Sequence, residues 1–452
     1  MEILFEDKIS KLPDDLILNI LSFLLTVDVV PTCLLSKRWK NIWHLVSTLS
    51  LSDDRMPNFK NFCNYVDNCL EHRKRGMAND NSVLIKSFKL QIMDFDPRNN
   101  APYIDKWLDF VVENKINELY ICLNPEEVED EDDDDYGELL YYCLPQTMLL
   151  NARNITVLDL HGIEILDNAT NYRINFPSLK SLKMENFRMH NAVLFNFVLG
   201  CPLLERLILI EYINSGDNLC LVSSRLKYMK LKGANKVQLL QIKAENIEYL
   251  EIVDVPFDGG EFSLGKNIPK GNFHSYTIEN KVTELNLDLK PGKGKNYDSY
   301  YYYNSTQLNR FDDFGIELGY SFSFPSLKSL SLEDIGLADN VKNDVLSKSF
   351  MDCPSLEELL LTSCHNLSTT HHPLLVKNPT LKFMKITFDV SLQVEAINLE
   401  SLELCWACLG KINLSSCKAI RNLSLSYCEW DTTTQSSFED LISNLPLLED
   451  LI

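Results

Sequence analysis

The sequence predicts an α/β fold: a short three-helix unit over residues 1–45, followed by an irregular repeat solenoid over 46–452. The solenoid is expected to carry parallel β-strands on its concave face, with helices and loops outside. Three observations predict this. The first stretch has apolar residues at helical spacing next to helix-start signals, the remainder repeats one apolar pattern every twenty-odd residues, and two longer blocks recur almost unchanged.

In the helical unit, Pro13 suits the start of a helix because its missing N–H has no intrahelical partner there. Asp14 and Asp15 sit against the positive end of the helix dipole. Leu16, Ile20 and Leu24 repeat every four residues, flanked by Ile17 and Leu21. Thr26 or Asp28 is expected to cap a second short helix that holds Pro31 in its first turn, and Ser36 a third in which Trp39 and Trp43 share a face. Three such helices carry more apolar surface than a unit this small hides internally, so it is expected to lean on a partner.

From Val46 onward the pattern is apolar-x-x-apolar-x-apolar. Ile155/Leu158/Leu160, Leu179/Leu182/Met184, Leu204/Leu207/Leu209, Leu226/Met229/Leu231 and Ile247/Leu250/Ile252 follow one another at steps of 24, 25, 22 and 21 residues. From Leu327 to Leu448 the steps are 29, 25, 18, 21 and 28. The segment 176–182 is identical to 324–330, and Gly200-Cys201-Pro202-Leu203-Leu204-Glu205 parallels Asp352-Cys353-Pro354-Ser355-Leu356-Glu357. This period and spacing is the leucine-rich-repeat signature. The apolar triplet brackets a short strand, each strand pairs in parallel with the next, and stacking buries what no single turn could bury. Longer steps of 31, 39, 35 and 45 residues read as insertions or missed repeats, with loop insertions near 124–145 and 290–321.

Composition excludes several function classes. Hydrophobic residues make up 45% and charged residues 24% of the 452, as in ordinary globular proteins. No apolar stretch reaches the ~20 residues of a membrane span, and the first residues carry acids where a secretory leader carries positive charge. A cytoplasmic or nuclear protein is expected, with no membrane partner. The formal charge of −21, nine acids of which lie in the run 126–135, makes nucleic acid a poor partner because little counterion release is available. The only basic cluster is His72, Arg73, Lys74 and Arg75, read as a solvated helix end or loop, with a nuclear-import patch as the lesser alternative.

In order and spacing, Leu12, Pro13, Asp14, Asp15 and Leu16, then Ile20, Leu21, Ser22, Phe23 and Leu24, and finally Leu34, Leu35, Ser36, Lys37, Arg38 and Trp39 with Trp43, resemble the F-box. With irregular leucine-rich repeats behind it, the whole chain resembles the plant F-box/leucine-rich-repeat proteins (F-box/RNI-like), many of them related to the FBD type. The resemblance implies a three-helix unit that docks the Skp-type adaptor of a cullin–RING ubiquitin ligase, and repeats that select a protein substrate. Carried over by position, it implies adaptor contacts at Leu12, Pro13, Leu16, Ile20, Leu21, Leu34, Leu35 and Trp39, while Trp43 packs the F-box onto the first repeat. Two positions depart from the family pattern. Leu25 stands where a proline is usual, and Val27, Val29, Val30 and Pro31 are apolar where polar residues are usual, so a different turn between the first two helices is expected.

Other clusters have plainer readings. Cys405, Cys408, Cys417 and Cys428, with His365, His371 and His372, invite a zinc or redox site. However, Cys364 and Cys428 fall where the repeat takes a small buried residue, most of the thirteen cysteines are expected to be such residues, and no metal is expected. There is no nucleophile elbow, phosphate-cradling glycine loop or helical metal-binding His pair, so no enzyme is expected. The acidic run reads as solvated, and Tyr300 to Tyr303 as drift within an insertion. Some relatives hold a polyanionic inositol phosphate, which needs convergent Lys/Arg. Lys180, Lys183, Lys227, Lys230, Lys232, Lys382 and Lys385 lie on strand segments but equally fit a solvated outward row, and no cofactor is expected.

The expected function is that of the substrate-recognition subunit of an SCF-type ligase without chemistry of its own. The alternative is a non-ligase interaction scaffold built on the repeats. The chain stops in mid-pattern at Leu451 and Ile452, which suggests a shortened product with an exposed last strand.

Overall fold

A computed structural model describes residues 11–79, 84–124, 126–128, 138–166, 174–215, 218–234, 237–244, 246–255, 257–264, 276–277, 282–288, 322–333, 347, 350–364, 373–428 and 438–452. The chain forms two compact units, the first comprising Met1–Met189 and Gly200–Leu203, the second His190–Leu199 and Leu204–Ile452.

The first unit begins with helix α1 (Asp14–Ser22), α2 (Thr26–Val29), a 3-10 turn (Val30–Leu34) and α3 (Lys37–Leu45). The strands Thr48–Ser52, Ser87–Ile92, Glu118–Leu123, Val157–His161 and Ser181–His190 follow, each parallel to the next. Their register stacks Leu49, Phe88, Leu119, Leu158 and Leu182 in one fully buried row. The crossovers hold helices α4 (Phe59–Asn79) and α5 (Pro97–Glu113). The 31-residue step and the first 39-residue step are therefore complete helical repeats and not insertions, since a crossover of that length accommodates a helix of four to six turns.

In the second unit the parallel ladder runs through Arg206–Ser215, Tyr228–Lys232, Tyr249–Val253, Glu284–Asp288, Ser329–Glu333, Glu358–Thr362, Phe383–Ile386, Ser401–Cys405, Asn422–Ser426 and Asp450–Leu451. It aligns Leu207, Met229, Leu250, Leu285, Leu330, Leu359, Met384, Leu402 and Leu423 in a buried row, the middle residues of the apolar triplets. Here the return segments are not all helices and loops. Asn218–Val222, Val237–Lys243 and Phe257–Leu264 form a second parallel sheet, and Leu374–Lys377, Leu392–Glu395 and Ile412–Asn413 a third. Steps near twenty residues leave no room for a helix between strands, while alternation such as Leu392 and Val394 inward suits a strand.

Several ladder strands also end alike. The residue after the strand turns left-handed, as at Gly162 (φ 74°) and Gly233 (φ 66°), where glycine adopts that conformation freely. The Gly233 N–H continues the ladder to Val253 O at 2.9 Å.

The acidic run starts in a small hairpin, with Glu126–Val128 antiparallel to Glu138–Leu140, and its residues 129–135 lie outside the described ones. So do Tyr300 to Tyr303, the insertion near 290–321, and His365, His371 and His372. Among the described residues, no group of three or more His, Cys, Asp or Glu could hold a metal, and no helix is long and apolar enough to cross a membrane. All thirteen cysteines are free thiols. Six are buried, so the expectation that most would be is overstated: six more are half-buried and Cys143 is exposed. Cys364 is buried as the repeat pattern requires, whereas Cys428 is only half-buried; they donate to Leu332 O and Leu404 O, each at 3.5 Å.

Candidate functional site

The helical head divides its apolar residues between two faces. Along α1, Ile17 and Leu21 point inward and are buried, while Leu16 and Ile20, one position earlier in each turn, are about half exposed. A helix with apolar residues at both i and i+1 repeated every four carries a stripe wider than one neighbour covers, so one edge of it stays in water. Phe23 just beyond α1 is 82% exposed, Leu24 is partly exposed, and the 3-10 turn ends at Leu34, 89% exposed, with Leu35 beside it also exposed. Pro13, the N-cap of α1, is exposed and Leu12 half-buried.

Two expected adaptor contacts lie elsewhere. Leu21 and Trp39 are only 2% and 5% exposed, their surface already used within the head: Leu21 on the inner face of α1, Trp39 on the face of α3 that also buries Ile42 and Trp43. They shape the surface from beneath and are not part of it. Phe23, by contrast, is missing from the expected contact set. The signal for it was available, since a large aromatic directly after the last turn of α1 has no helical neighbour to pack on.

The head is held rigid by polar contacts at its ends. Ser36 caps α3, accepting from Trp39 N at 3.3 Å. Arg38 reaches back across the head, its Nε donating to Asp14 Oδ1 at 2.8 Å and its Nη2 to Leu12 O, which pins the start of α1 to α3. The cap of α2 is not the expected one. Leu25 stands at the N-cap with no side-chain bond, and Thr26 opens the helix. The Thr26 hydroxyl instead accepts from Ser50 N at 2.9 Å, tying the head to the first strand, while Asp28 pairs with Arg55 at 2.6 Å.

The other end of α3 is closed by Arg73 of α4. This guanidinium is fully buried and donates to Trp43 O and His44 O, both at 2.7 Å, and to Val46 O, so it satisfies two carbonyls at the end of the helix and adds a second donor to Trp43 O, which also accepts from Val46 N at 3.3 Å. It also lies over the Trp43 ring, 5.2 Å from its centroid, and burial pulls its pKa down to about 10. Trp43 thus packs against the repeat side, as the resemblance implies. The basic cluster expected to be solvated is split: Arg73 is in the core, Arg75 pairs with Glu71 at 2.9 Å and Lys74 with Glu113 at 3.2 Å.

Most of the strand lysines are likewise matched. Lys183 pairs with Glu185 at 2.8 Å, Lys227 with Glu205 at 3.3 Å, Lys230 with Glu251 at 2.9 Å, Lys382 with Glu357 at 2.7 Å and Lys385 with Glu403 at 2.9 Å. Each of these five faces a carboxylate on its own or the neighbouring repeat, whereas Lys180 and Lys232 make no such pair among the described residues.

Comparison with known proteins agrees with this geometry. The F-box domain family model matches residues 9–50, the head with its first strand. The model described as FBD-associated F-box protein At5g56370, LRR repeats, matches 104–261. The chain is 28% identical over 264 residues to an FBD-associated F-box protein of Arabidopsis thaliana, covering 55% of this chain and 52% of that one. It is 30% identical over 213 residues to a putative F-box/FBD/LRR-repeat protein of the same plant, covering 47% and 42%. The chain thus spans about half the length of these two relatives. With another putative F-box/FBD/LRR-repeat protein of Arabidopsis thaliana the match is longer, 26% identity over 401 residues, 83% of this chain and 79% of the other. A solved LRR protein of Leptospira interrogans aligns over 76% of this chain and 98% of its own, at 13% identity and a TM-score of 0.24, too low to bear on the fold. Matched at its helical head by the one family model and in its repeats by the other, the chain carries an F-box followed by leucine-rich repeats and is similar to the FBD-associated F-box proteins of Arabidopsis thaliana.

Proposed function

We propose that this chain is the substrate-recognition subunit of an SCF-type cullin–RING ubiquitin ligase. Its head docks a Skp-type adaptor, its repeats bind a protein target, and it carries out no chemistry itself. Ubiquitin transfer then belongs to the enzymes the assembly recruits, and the contribution of this chain is to hold the target near them in a fixed orientation. It would act in the cytoplasm or nucleus.

The observation that carries the reading is the exposure of the large apolar residues Leu16, Ile20, Phe23, Leu34 and Leu35 on a head that buries Ile17, Leu21, Trp39 and Ile42 without them. Burying a side chain of this kind contributes about 1.5–3 kcal/mol, and anchors of this type dominate interfaces. Pro13, exposed, and Leu12, half-buried, belong to the proposed contact as well.

The test is capture of a Skp-type adaptor and cullin by the intact chain. Wild type should capture both. Leu34→Ala combined with Leu35→Ala should weaken adaptor affinity at least tenfold without moving the melting temperature, because neither side chain supports the fold. Leu21→Ala should do the reverse, lowering the melting temperature first. A folded wild-type chain that fails to retain any adaptor would overturn the ligase reading.

A further inference from the structure

One aromatic feature of the repeats is unused by the fold. Trp406 and Tyr427 follow the strands Ser401–Cys405 and Asn422–Ser426 and stack on each other, ring centroids 4.7 Å apart and planes within 10°. They are 59% and 73% exposed. Both occupy the left-handed position that closes a repeat, with φ of 62° and 54°. Elsewhere in this unit that position is filled by Glu211, Gly233, Asp254 or Ser363, none of them aromatic. At Trp406 the backbone duty is that of Gly233: the Trp406 N–H bonds Ser426 O at 3.0 Å, as the Gly233 N–H bonds Val253 O. The fold therefore needs a left-handed residue there but not a large ring, and two consecutive repeats place one where it is strained and wet. Costly backbone kept at an exposed position points to use.

A second stack in the same unit indicates what covers such rings. Tyr228 and Tyr249 stack at 4.3 Å, and the guanidinium of Arg206 lies on Tyr228, 3.8 Å from its centroid. Arg73 on Trp43 and Arg188 on Tyr141 repeat the arrangement. Among the described residues no cation stands over Trp406 or Tyr427. The nearest cations by sequence and register are engaged, Lys411 with Asp389 at 2.9 Å and Lys385 with Glu403. A chain of net charge −21 attracts cations at long range, and a planar guanidinium combines stacking with attraction to the ring face.

We propose that the Trp406–Tyr427 stack receives an arginine side chain of the protein held by the repeats, its guanidinium lying on the outer face of the stack as Arg206 lies on Tyr228. This deepens the reading of the repeats as a target-binding surface and rests on it. Arginine-bearing segments are selected over neutral or proline-rich ones at this point.

The test uses the full chain labelled with 5-fluorotryptophan, the Trp406 fluorine resonance being assigned by its loss in Trp406→Gly. The probes are acetyl-Gly-Arg-Gly-amide, the same peptide with citrulline, and acetyl-Gly-Pro-Pro-Gly-amide, at millimolar concentration. The arginine peptide should shift the Trp406 resonance saturably, at least fivefold more tightly than either other probe, less so at high salt, and not in Tyr427→Gly. An equal response to citrulline or to the proline peptide, or no response to arginine, overturns the proposal. Adaptor capture by the same preparation separates the two readings. Capture without an arginine response sinks this inference alone, whereas an arginine response without capture upholds the stack's specificity and sinks the ligase assignment.

Discussion

Arg73, buried on α4, donates its guanidinium to the carbonyl oxygen of Trp43 at the end of α3, 2.7 Å away, while lying over the ring of the same residue. One side chain therefore closes the last helix of the head and joins it to the first repeat. The cost of burying a guanidinium is offset by its bonds to three carbonyls at the end of the helix, of which Trp43 O alone has another donor, the Val46 N–H.

Removing that group is expected to be severe. Arg73→Ala strips the carbonyls of His44 and Val46 of this donor, removes one of the two donors to Trp43 O and leaves a cavity against Trp43, and should cost roughly 3–5 kcal/mol. Arg73→Lys keeps the charge but not the planar fork and should lose most of the same stabilisation. Hydrogen exchange on the intact chain checks it: amides of α3 should lose protection while those of the strand Ser401–Cys405 keep theirs. Equal protection of α3 in Arg73→Ala would show that the clamp is incidental.

Much of this was legible in sequence, and the rest was hidden for definite reasons. Leu207, Met229 and Leu250 announced both burial and register, because a period-two strand repeated at near-constant steps leaves one way to align its apolar rows. Leu16 and Leu21 could not be sorted, since both lie on one broad apolar stripe of α1 and only the packing of α3 decides which edge turns inward. Arg73 sat in a run of bases that reads as surface, and its burial depends on carbonyls thirty residues away. The exposure of Trp406 and Tyr427 has no signal in the sequence, since nothing local discloses that their backbone is left-handed.

The turn after α1 bears on the departure at Leu25. Its φ of −63° and ψ of 143° are the angles proline prefers, so the backbone keeps the form a proline would impose even though the side chain differs. Leu25→Pro should therefore be tolerated and should stabilise by about 0.4–1 kcal/mol by narrowing the unfolded ensemble. Thermal unfolding and adaptor capture of this variant should both match or exceed wild type. A clear fall in the melting temperature would mean that the packing of the Leu25 side chain outweighs the backbone gain.

The joint beside Arg73 is also sensitive to pH. His44 stacks on His72 with centroids 5.3 Å apart, and burial, then His72, Arg73 and Lys40, hold the His44 imidazole below the ordinary histidine range. In the unfolded chain His44 binds a proton as pH falls through about 6.5, whereas in the folded chain it does so only at lower pH. The unfolded state then holds more protons, so its contribution to stability is complete above that range and declines as pH falls through it. Denaturant midpoints measured from pH 7.5 to 5 should drop more steeply in wild type than in His44→Gln. Parallel slopes would remove His44 as the cause.

Glycine at the aromatic stack should trade binding for stability. Relieving a left-handed non-glycine residue returns about 1 kcal/mol, whereas losing a stacked aromatic pair costs about 0.5–1.5 kcal/mol. Either Trp406→Gly or Tyr427→Gly alone forfeits the whole stack for one relief, and should stay within about 1 kcal/mol of wild type. The double variant forfeits the stack once and gains two reliefs, so it should be more stable than the sum of the singles predicts and at least as stable as wild type. Urea unfolding of the four proteins measures this coupling directly. A double variant less stable than either single would mean that the rings support the fold, and their exposure would then need no partner to explain it.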